Sequence, residues 1–594
     1  MKIILHDGSL SEIEKASKEG FEVLNHSTAH LLAAAVQELY PQAKFGIGPA
    51  IDEGFYYDID FEDATISDAD LPIIEKKMKE LAARNDKIVW ATYSKDQALE
   101  IFKANKYKVE LISGLEDGDI TTFSQGSFID LCRGPHILYT GLIKHFKLLS
   151  IAGAYWRGNS KNKQLVRIYG CSFWSEEELQ AHLADLEDRK QRDHRKLAKD
   201  LGIYMMDDLV GRGLPMWLPN GFIVRRLLSD YIMDKEIALG YKHVMTPSLG
   251  NVELYKTSGH WDHYKEDMFP EMKLEDESYV LRPMNCPHHM VMFNSTLHSY
   301  RDLPVRIAEI ANDFRYEPSG ALTGIERTRA FTQNDSHIFC TPEQIGEEFK
   351  GVAKLILDVY HDFGITDYEF RLSLRDPENT EKYFGNDALW EASENELRKV
   401  LNEMGVKYYE AKGEAAFYGP KLDVQVKSVM GHDITLSTIQ LDYQLPERFE
   451  LTYIDANGEK ARPVVIHRAI LGSLDRFIAF ILEETKGVLP LWLAPVQMKI
   501  IPVNLNFHLD YANEVYDLLA KEGLRVEKDY RNEKLGYKIR EAQVKKIPYQ
   551  LVIGDNEVAN RTLTYRRYGE KEQTTLSIEE FIKMVKSEIA NKGL

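Results

Sequence analysis

Asn25-His26-Ser27-Thr28-Ala29-His30 sets two imidazoles four residues apart. On a helix that spacing is one turn, so both rings share a face and could grip a metal or a polar ligand at two points. Farther on, Asp130-Leu131-Cys132-Arg133-Gly134-Pro135-His136 offers a thiol and a third imidazole, with a Gly-Pro step that favours a loop over a helix. The two pairs together fit a four-ligand zinc site, and they fit ordinary partly buried histidines as well.

A second set is scattered: Cys286 in Arg282-Pro283-Met284-Asn285-Cys286-Pro287-His288, His337 in Gln333-Asn334-Asp335-Ser336-His337, and His467 in Val465-Ile466-His467-Arg468. Spacing does not say whether these three meet, and taken singly each reads as a structural residue. A third set runs from Arg306 to Glu309, through Arg315-Tyr316-Glu317-Pro318-Ser319-Gly320, to Arg327, Arg329, Phe331 and Gln333. Strand, arginine, glycine-containing loop and return strand make a phosphate grip, because a guanidinium binds phosphate oxygens bidentately and keeps its charge. Neither GxGxxG before a helix nor GxxxxGK(S/T) occurs, so a nucleotide bound here uses another scheme.

These groups need a large frame. A chain of 594 residues exceeds one hydrophobic core and suggests roughly three or four domains. No apolar run approaches the roughly 20 residues of a membrane span, and Met1 to Lys15 lacks the basic start and apolar core of a signal peptide. Four scattered cysteines are too few for a disulfide framework and point to a reducing compartment, the cytoplasm. The net charge of −19 argues mildly against nucleic acid, but phosphate binding needs local cations, not a basic average.

Up to about residue 170 short helices and strands alternate, with a helix from Leu31 to Tyr40 opened by the first histidine pair. Ser175 and Glu178 form a capping-box pattern ahead of a charge-laced helix with a narrow stripe, Leu179, Leu183 and Leu186. That helix reads as a solvated connector. After a Pro490/Pro495 junction, strands at 500–505, 524–527 and 549–553 alternate with helices at 511–521 and 534–546, which implies a small, mostly parallel α/β module.

Taken together, the chain resembles the class II aminoacyl-tRNA synthetases, and the threonyl-tRNA synthetases among them, from about His26 to its end. Val244-Met245-Thr246-Pro247 resembles motif 1, the segment at Arg315-Tyr316-Glu317 motif 2, and Gly472-Ser473-Leu474-Asp475-Arg476-Phe477 motif 3. Asn285-Cys286-Pro287, Ala416-Phe417-Tyr418-Gly419-Pro420-Lys421 and Ile466-His467-Arg468-Ala469-Ile470-Leu471-Gly472 resemble strings of the threonyl branch. The resemblance implies a multidomain α+β and α/β protein: an editing domain (1–174, α+β), a linker helix (175–200), a catalytic domain on an antiparallel sheet with helices (201–492) and an anticodon-binding α/β domain (493–594).

It also implies chemistry. Cys286, His337 and His467 would hold one zinc with an open position for the amino group and hydroxyl of threonine, which valine cannot complete. Arg315 would hold the ATP α-phosphate, Glu317 would face the adenine, and Arg476 would hold the γ-phosphate end with Mg2+. Lys421 is placed with these arginines among the catalytic groups. Met284, Arg327, Gln333, Asp335, Tyr418, Gln440 and Ser473 would line the substrate pocket. Serine lacks only one methyl group, worth about 1–3 kcal/mol, so a second, hydrolytic site is needed. The resemblance places His26, His30, Tyr57, Lys108, Asp130, Cys132 and His136 in it, a set that binds zinc in the related alanyl enzymes and is held to act without metal in threonyl ones. Asn532, Glu557 and Arg566 match anticodon-reading positions, although each also reads as an ordinary polar residue at the surface. The partners implied are tRNA(Thr), ATP, L-threonine and a second copy of the chain, with no membrane.

Members of this family often begin with a ubiquitin-like domain. With His26 so near the start, the resemblance implies that it is missing here or reduced to a stub, which puts in doubt any tRNA contact it would make. Two rivals remain at this stage. A synthetase-derived regulatory protein would be expected to lack a zinc ligand or a phosphate-binding arginine. A free-standing editing hydrolase would lack the central and C-terminal regions.

Overall fold

The computed structural model describes residues 1–116, 120–159, 161–379, 383 and 387–592. They form two units, Met1–Asp188 and Arg189–Leu594.

In the first unit the helix Lys18–Leu39 lies against the strands Gln164–Phe173 and Gly54–Asp60 of a sheet that also contains His145–Tyr155, and the helix Leu71–Arg84 packs on the last of these. The middle turns of Lys18–Leu39, from Val23 to Val36, are almost wholly buried, and the small residues Ala29, Ala33 and Ala35 let it sit close to the sheet. This helix begins well before Leu31: the Ser17 hydroxyl accepts from the Gly20 amide at 3.0 Å, so His26 and His30 fall in mid-helix. Phe21, Val23 and Leu24 already carry the apolar stripe ahead of Leu31, and the cap marks where the helix starts. The strands Lys2–Ile4 and Leu10–Glu12 pair with each other, and the first pairs with His136–Ile137, so the opening residues are part of this unit's sheet structure.

The expected single connector helix is two helices. Glu176–Arg192 starts on the expected box, with the Ser175 amide donating to Glu178 at 3.0 Å, and buries only Leu179. Asp193 then breaks the helix and caps a second one, His194–Leu201. That one is not a solvated connector: Leu197, Ala198 and Leu201 join the largest apolar core, and His194 Nδ1 lies 2.6 Å from Glu483.

The second unit is built on an eight-stranded sheet. Its order is Lys242–His243, Val305–Phe314, Ala330–Cys340, Val464–Ser473, Asp433–Asp442, Lys421–Lys427, Tyr368–Leu374, Tyr408–Lys412. The middle six strands are antiparallel and each edge strand is parallel to its neighbour. The helices Ile345–Asp362 and Leu474–Glu484 supply Phe349, Ile356, Phe477 and Ile481 to the core on which the sheet rests. Val464 to Leu471 is buried throughout, as a central strand covered on both faces requires. On the helix side of the sheet Arg468, fully buried, is met by Glu236 of the helix Pro219–Ala238, and Glu236 also accepts from Asn334 at 2.8 Å.

The C-terminal module has its own sheet, Val526–Lys528, Met498–Pro502, Tyr549–Ile553, Thr562–Arg567, Thr574–Ser577. The first three strands are parallel, as the strand–helix alternation requires, and the last two are antiparallel. The expected helices occur as Leu505–Lys521 and Leu535–Val544. Among the described residues no helix is long and apolar enough to cross a membrane.

Candidate functional site

Strand register assembles the site. His337, His467, Gln440 and Lys421 stand directly opposite one another across four adjacent strands. Directly paired residues point to the same face of a sheet, and so do residues two apart along a strand. The face opposite Arg468 and Asn334 therefore carries one rung of His337, His467, Gln440 and Lys421, and a second of Asp335, Ala469, Thr438 and Asp423.

At one end of the first rung a helix brings in a thiol. Cys286 opens the helix Cys286–Asn294, and ligand atoms of Cys286, His337 and His467 lie within 4.8 Å of one another, all three residues buried. The surroundings decide the tautomers. His467 Nε2 is 2.8 Å from Asp442, and a carboxylate can only accept, so Nε2 carries the proton and Nδ1 is left with a lone pair. His289 Nε2 is 3.2 Å from Glu309 and donates to it. Its Nδ1, 2.8 Å from His337 Nδ1, then accepts from that ring. His337 Nε2 is left unprotonated, buried and without a hydrogen-bond partner. Two imidazole lone pairs beside a thiol are a nitrogen and sulfur donor set for zinc, with both rings oriented from behind by carboxylate-anchored partners. Burial holds the His337 imidazole well below its ordinary value and the Cys286 thiol well above. The pocket is thus set for a cation that would draw out the thiolate.

The expected substrate residues divide between two ends of this face. Tyr418, Asp335 and Met284 belong with the metal ligands. The Tyr418 ring stacks on His467 at 5.0 Å, Asp335 Oδ2 is 3.8 Å from His337 Nε2, and Met284 packs in the apolar cluster that contains Cys286. Burial, with Asp313 nearby, pushes the Asp335 carboxyl well up. Gly419 leaves no room for a Cβ against the Leu441 carbonyl, so the turn after Tyr418 is held tightly to the sheet.

Arg315, Glu317, Arg327, Gln333, Lys421, Gln440, Ser473 and Arg476 line an adjoining cleft of about 310 Å³. Arg315 stands over the Phe331 ring at 5.1 Å, its Nε buried and without a partner. Arg476 follows the N-cap Ser473, whose hydroxyl accepts from the Arg476 amide at 3.1 Å. The open end of the helix Leu474–Glu484 and two guanidiniums thus face one cleft, a strong attraction for an anion. Burial, then the neighbouring guanidiniums of Arg315 and Arg327, pull Arg476 below its ordinary value, although Glu326 opposes them. Glu317 is engaged: Arg327 Nε donates to it at 2.9 Å.

The first unit holds a second cluster. Ligand atoms of His26, His30, Cys132 and His136 also lie within 4.8 Å of one another. Ser27 Oγ donates to Val23 O at 2.8 Å, so it accepts from His136 Nδ1 at 3.0 Å, which leaves His136 Nε2 as a lone pair facing Cys132 Sγ at 3.2 Å. Asp130 is gripped by Lys108 and Tyr57, each at 2.5 Å, and lies 3.5 Å from His30. Burial keeps the three imidazoles neutral, His30 down to about 3, and pushes the Cys132 thiol up to about 12. All seven residues expected for a second site therefore meet, and His26 borders a surface cleft flanked by Glu19, Glu22 and Asp52.

In the C-terminal module the three expected residues differ in character. Asn532 is exposed. Arg566 is half-buried with an unpartnered Nε. Glu557 is occupied in holding its own fold, accepting from the Gly554 amide at 2.8 Å and the Thr564 hydroxyl at 2.6 Å.

The groups behind the site, Asp442, His289, Asp423 and Thr438, are absent from the residues expected above, and Glu309 was expected with the phosphate grip rather than behind His289. The alternation Lys421-x-Asp423 and Thr438-x-Gln440 was the available signal, since one pleated face carries both members of each pair.

Three comparisons bear on these sites. Residues 268–485 match the tRNA synthetase class II core domain (G, H, P, S and T), 497–588 an anticodon binding domain, and 120–169 the threonyl and alanyl tRNA synthetase second additional domain. A threonine–tRNA ligase of Acholeplasma laidlawii is 57% identical over 589 residues, 99% of this chain and 92% of its own length. One of Staphylococcus carnosus is 58% identical over 588 residues, 99% of this chain and 91% of its own. A crystal structure described as the RNA binding domain of threonyl-tRNA synthetase from Cryptosporidium parvum superposes with a TM-score of 0.64 at 38% identity, covering 66% of this chain and 98% of its own.

Proposed function

The chain belongs to the threonine–tRNA ligase family of class II aminoacyl-tRNA synthetases, and from that premise we propose how its residues divide the work. It joins L-threonine to tRNA(Thr) with ATP through threonyl-adenylate, and it hydrolyses seryl-tRNA(Thr). The observation that carries this reading is the single sheet face on which a Cys–His–His cluster adjoins a two-arginine cleft.

In this reading Cys286, His337 and His467 hold zinc. When bound, the ion supplies an open coordination position for the amino group and hydroxyl of threonine. Asp335, beside His337, accepts from that amino group, which would reach the ion as the neutral amine, and a cation there favours the ionised carboxylate. Tyr418 walls the pocket. Arg315 receives the α-phosphate, while Arg476 at the helix end receives the γ-phosphate, with Mg2+ sharing the charge. The threonine carboxylate then attacks the α-phosphorus in line, and pyrophosphate leaves. Charge neutralisation and positioning do the work, with no covalent enzyme intermediate. Threonine-dependent ATP–pyrophosphate exchange tests the reading; a chain that folds, binds zinc and shows no exchange would overturn it.

The first unit's cluster is read as the editing site. Changing both His26 and His30 to Ala is expected to leave threonylation near wild type and to let seryl-tRNA accumulate. The synthetic site separates serine from threonine by one methyl group, about 1–3 kcal/mol, whereas the second site can exclude threonine by a clash. Imidazoles that burial keeps neutral can orient a water or a ribose hydroxyl. Deacylation of tRNA charged with labelled serine reads the outcome; equal rates in wild type and double mutant would make the pair structural, provided the melting curves agree.

Asn532 and Arg566 are read as anticodon contacts. Glu557 supports the fold at the same time, so substituting it should cost stability along with any binding. We also read the chain as a homodimer. On and beside the helix Pro219–Ala238 and the Val244–Pro247 segment, Phe222, Ile237, Leu239 and Leu249 are exposed, and Met245 is 93% exposed, an apolar surface of the kind partners cover. Sedimentation as a monomer would sink that reading. The four cysteines are free, which agrees with a cytoplasmic setting.

A further inference from the structure

Asp423 sits one rung behind the reacting residues, 1% exposed, and takes part in no step described so far. Four donors converge on it. Lys421 Nζ at 3.0 Å, Arg371 at 2.8 Å and Ser373 Oγ at 3.0 Å reach Oδ2. Thr438 Oγ1 reaches Oδ1 at 3.0 Å.

The chemistry of these partners gives the network a direction. A carboxylate only accepts, so the single proton of the Thr438 hydroxyl points at Asp423. The Thr438 oxygen must then accept from its other neighbour, Gln440, at 3.3 Å. Only the amide nitrogen of Gln440 can donate, which turns its Oε1 the other way, onto the Tyr418 hydroxyl. Tyr418 therefore spends its proton on Gln440. Its lone pairs are left free on the ring that stacks against His467. Lys421 is fixed by the same carboxylate, and with Arg371 the group carries one net positive charge beside the phosphate cleft.

We propose that Asp423 is a positioning residue for both substrates: it aims Lys421 at the nucleotide and, through Thr438 and Gln440, sets the Tyr418 hydroxyl to accept a hydrogen bond from the amino acid. This rests on the ligase reading above. An asparagine at 423 shows the consequence. Its oxygen must face the cations, so its amide nitrogen faces Thr438. Thr438 then accepts and donates onward, the Gln440 amide turns over, and Tyr418 presents a proton where it had offered a lone pair.

The test is ATP–pyrophosphate exchange by the full-length protein carrying Asp423→Asn, Thr438→Val or both. For Asp423→Asn the expected result is a lower kcat and a threonine KM raised about tenfold to a hundredfold, the scale of one hydrogen bond to a charged group. The ATP KM should change far less, because Arg315 and Arg476 still hold the nucleotide and the misaimed Lys421 shows in kcat. Thr438→Val alone should raise the threonine KM with little change in kcat, because Lys421 keeps its carboxylate. Added to Asp423→Asn it should do almost nothing further, since both cut one chain. Wild-type kinetics in Asp423→Asn, or additive effects in the double variant, would overturn the proposal. So would equal rises in the two KM values, the mark of a general loosening. A wild-type chain without threonine-dependent exchange would sink the ligase reading and this inference with it, whereas an active wild type with an indifferent Asp423→Asn sinks the inference alone.

Discussion

His337→Ala should strip the catalytic domain of its metal and abolish threonyl-adenylate formation. In the proposed site His337 contributes one of three donor atoms, and its Nε2 is a buried lone pair with no hydrogen-bond partner. Alanine leaves Cys286 and His467 as two protein donors, one fewer than a catalytic zinc site keeps before its substrate arrives. Changes one shell farther out typically cost about 10–100-fold in metal affinity or activity, so loss of a ligand should exceed that. His289→Ala serves as the graded companion. It removes the ring that fixes the His337 tautomer but no ligand, and should weaken metal binding by about that 10–100-fold. Metal content by atomic emission, with exchange activity on the same preparations, reads both variants. A metal-free His337→Ala enzyme of full activity would refute the assignment.

Arg315→Ala should lower adenylate formation by about a hundredfold to a thousandfold, the range for removing one preorganised donor to a developing anion. The cleft is built to present this group. Phe331 supports the guanidinium from below, and among the described residues no ion pair holds it, in contrast to Arg327, which Glu317 holds. An unneutralised cation in a partly desolvated cleft costs the free enzyme stability. It returns that cost as attraction when charge builds on the phosphate. Lysine should not restore the rate, because it lacks the planar fork and the face that stacks on Phe331. Affinity for tRNA should hold, since the lost contact is to ATP. Exchange kinetics near wild type would rule Arg315 out as the α-phosphate contact.

Both predictions join residues that lie far apart along the chain, and the elements that join them were unevenly legible. The motif 2 strands and loop were plain, because an apolar run, an arginine and a glycine-bearing turn are local signals. The C-terminal strands and the second helix were placed within a few residues for the same reason, whereas the first helix begins at Leu505, within the segment expected to be strand. The helix holding His26 and His30 was placed short at its start, although Phe21, Val23 and Leu24 carry the apolar stripe ahead of Leu31 and Ser17 caps the first turn. The connector was misread after Asp193. A short helix with four buried positions looks charge-laced in sequence, and only packing shows which of its faces is covered.

What the sequence determined by itself was therefore the local and the covalent: that His26 and His30 share a helix face, that an arginine stands at a strand end, that the C-terminal module alternates strand and helix, and, through its motifs, which family the chain resembles. Tertiary structure decided everything that depends on register. His337 and His467 are rung partners because two strands pair at those positions, and a slip of one residue would turn one of them to the far face with Arg468. The direction of each hydrogen bond behind the site, from Asp442, Glu309 and Asp423, was likewise undetermined until the partners were adjacent. The physical reason is that a side chain's protonation and tautomer are set by what lies within about 3 Å of it, and strand pairing, not distance along the chain, decides that.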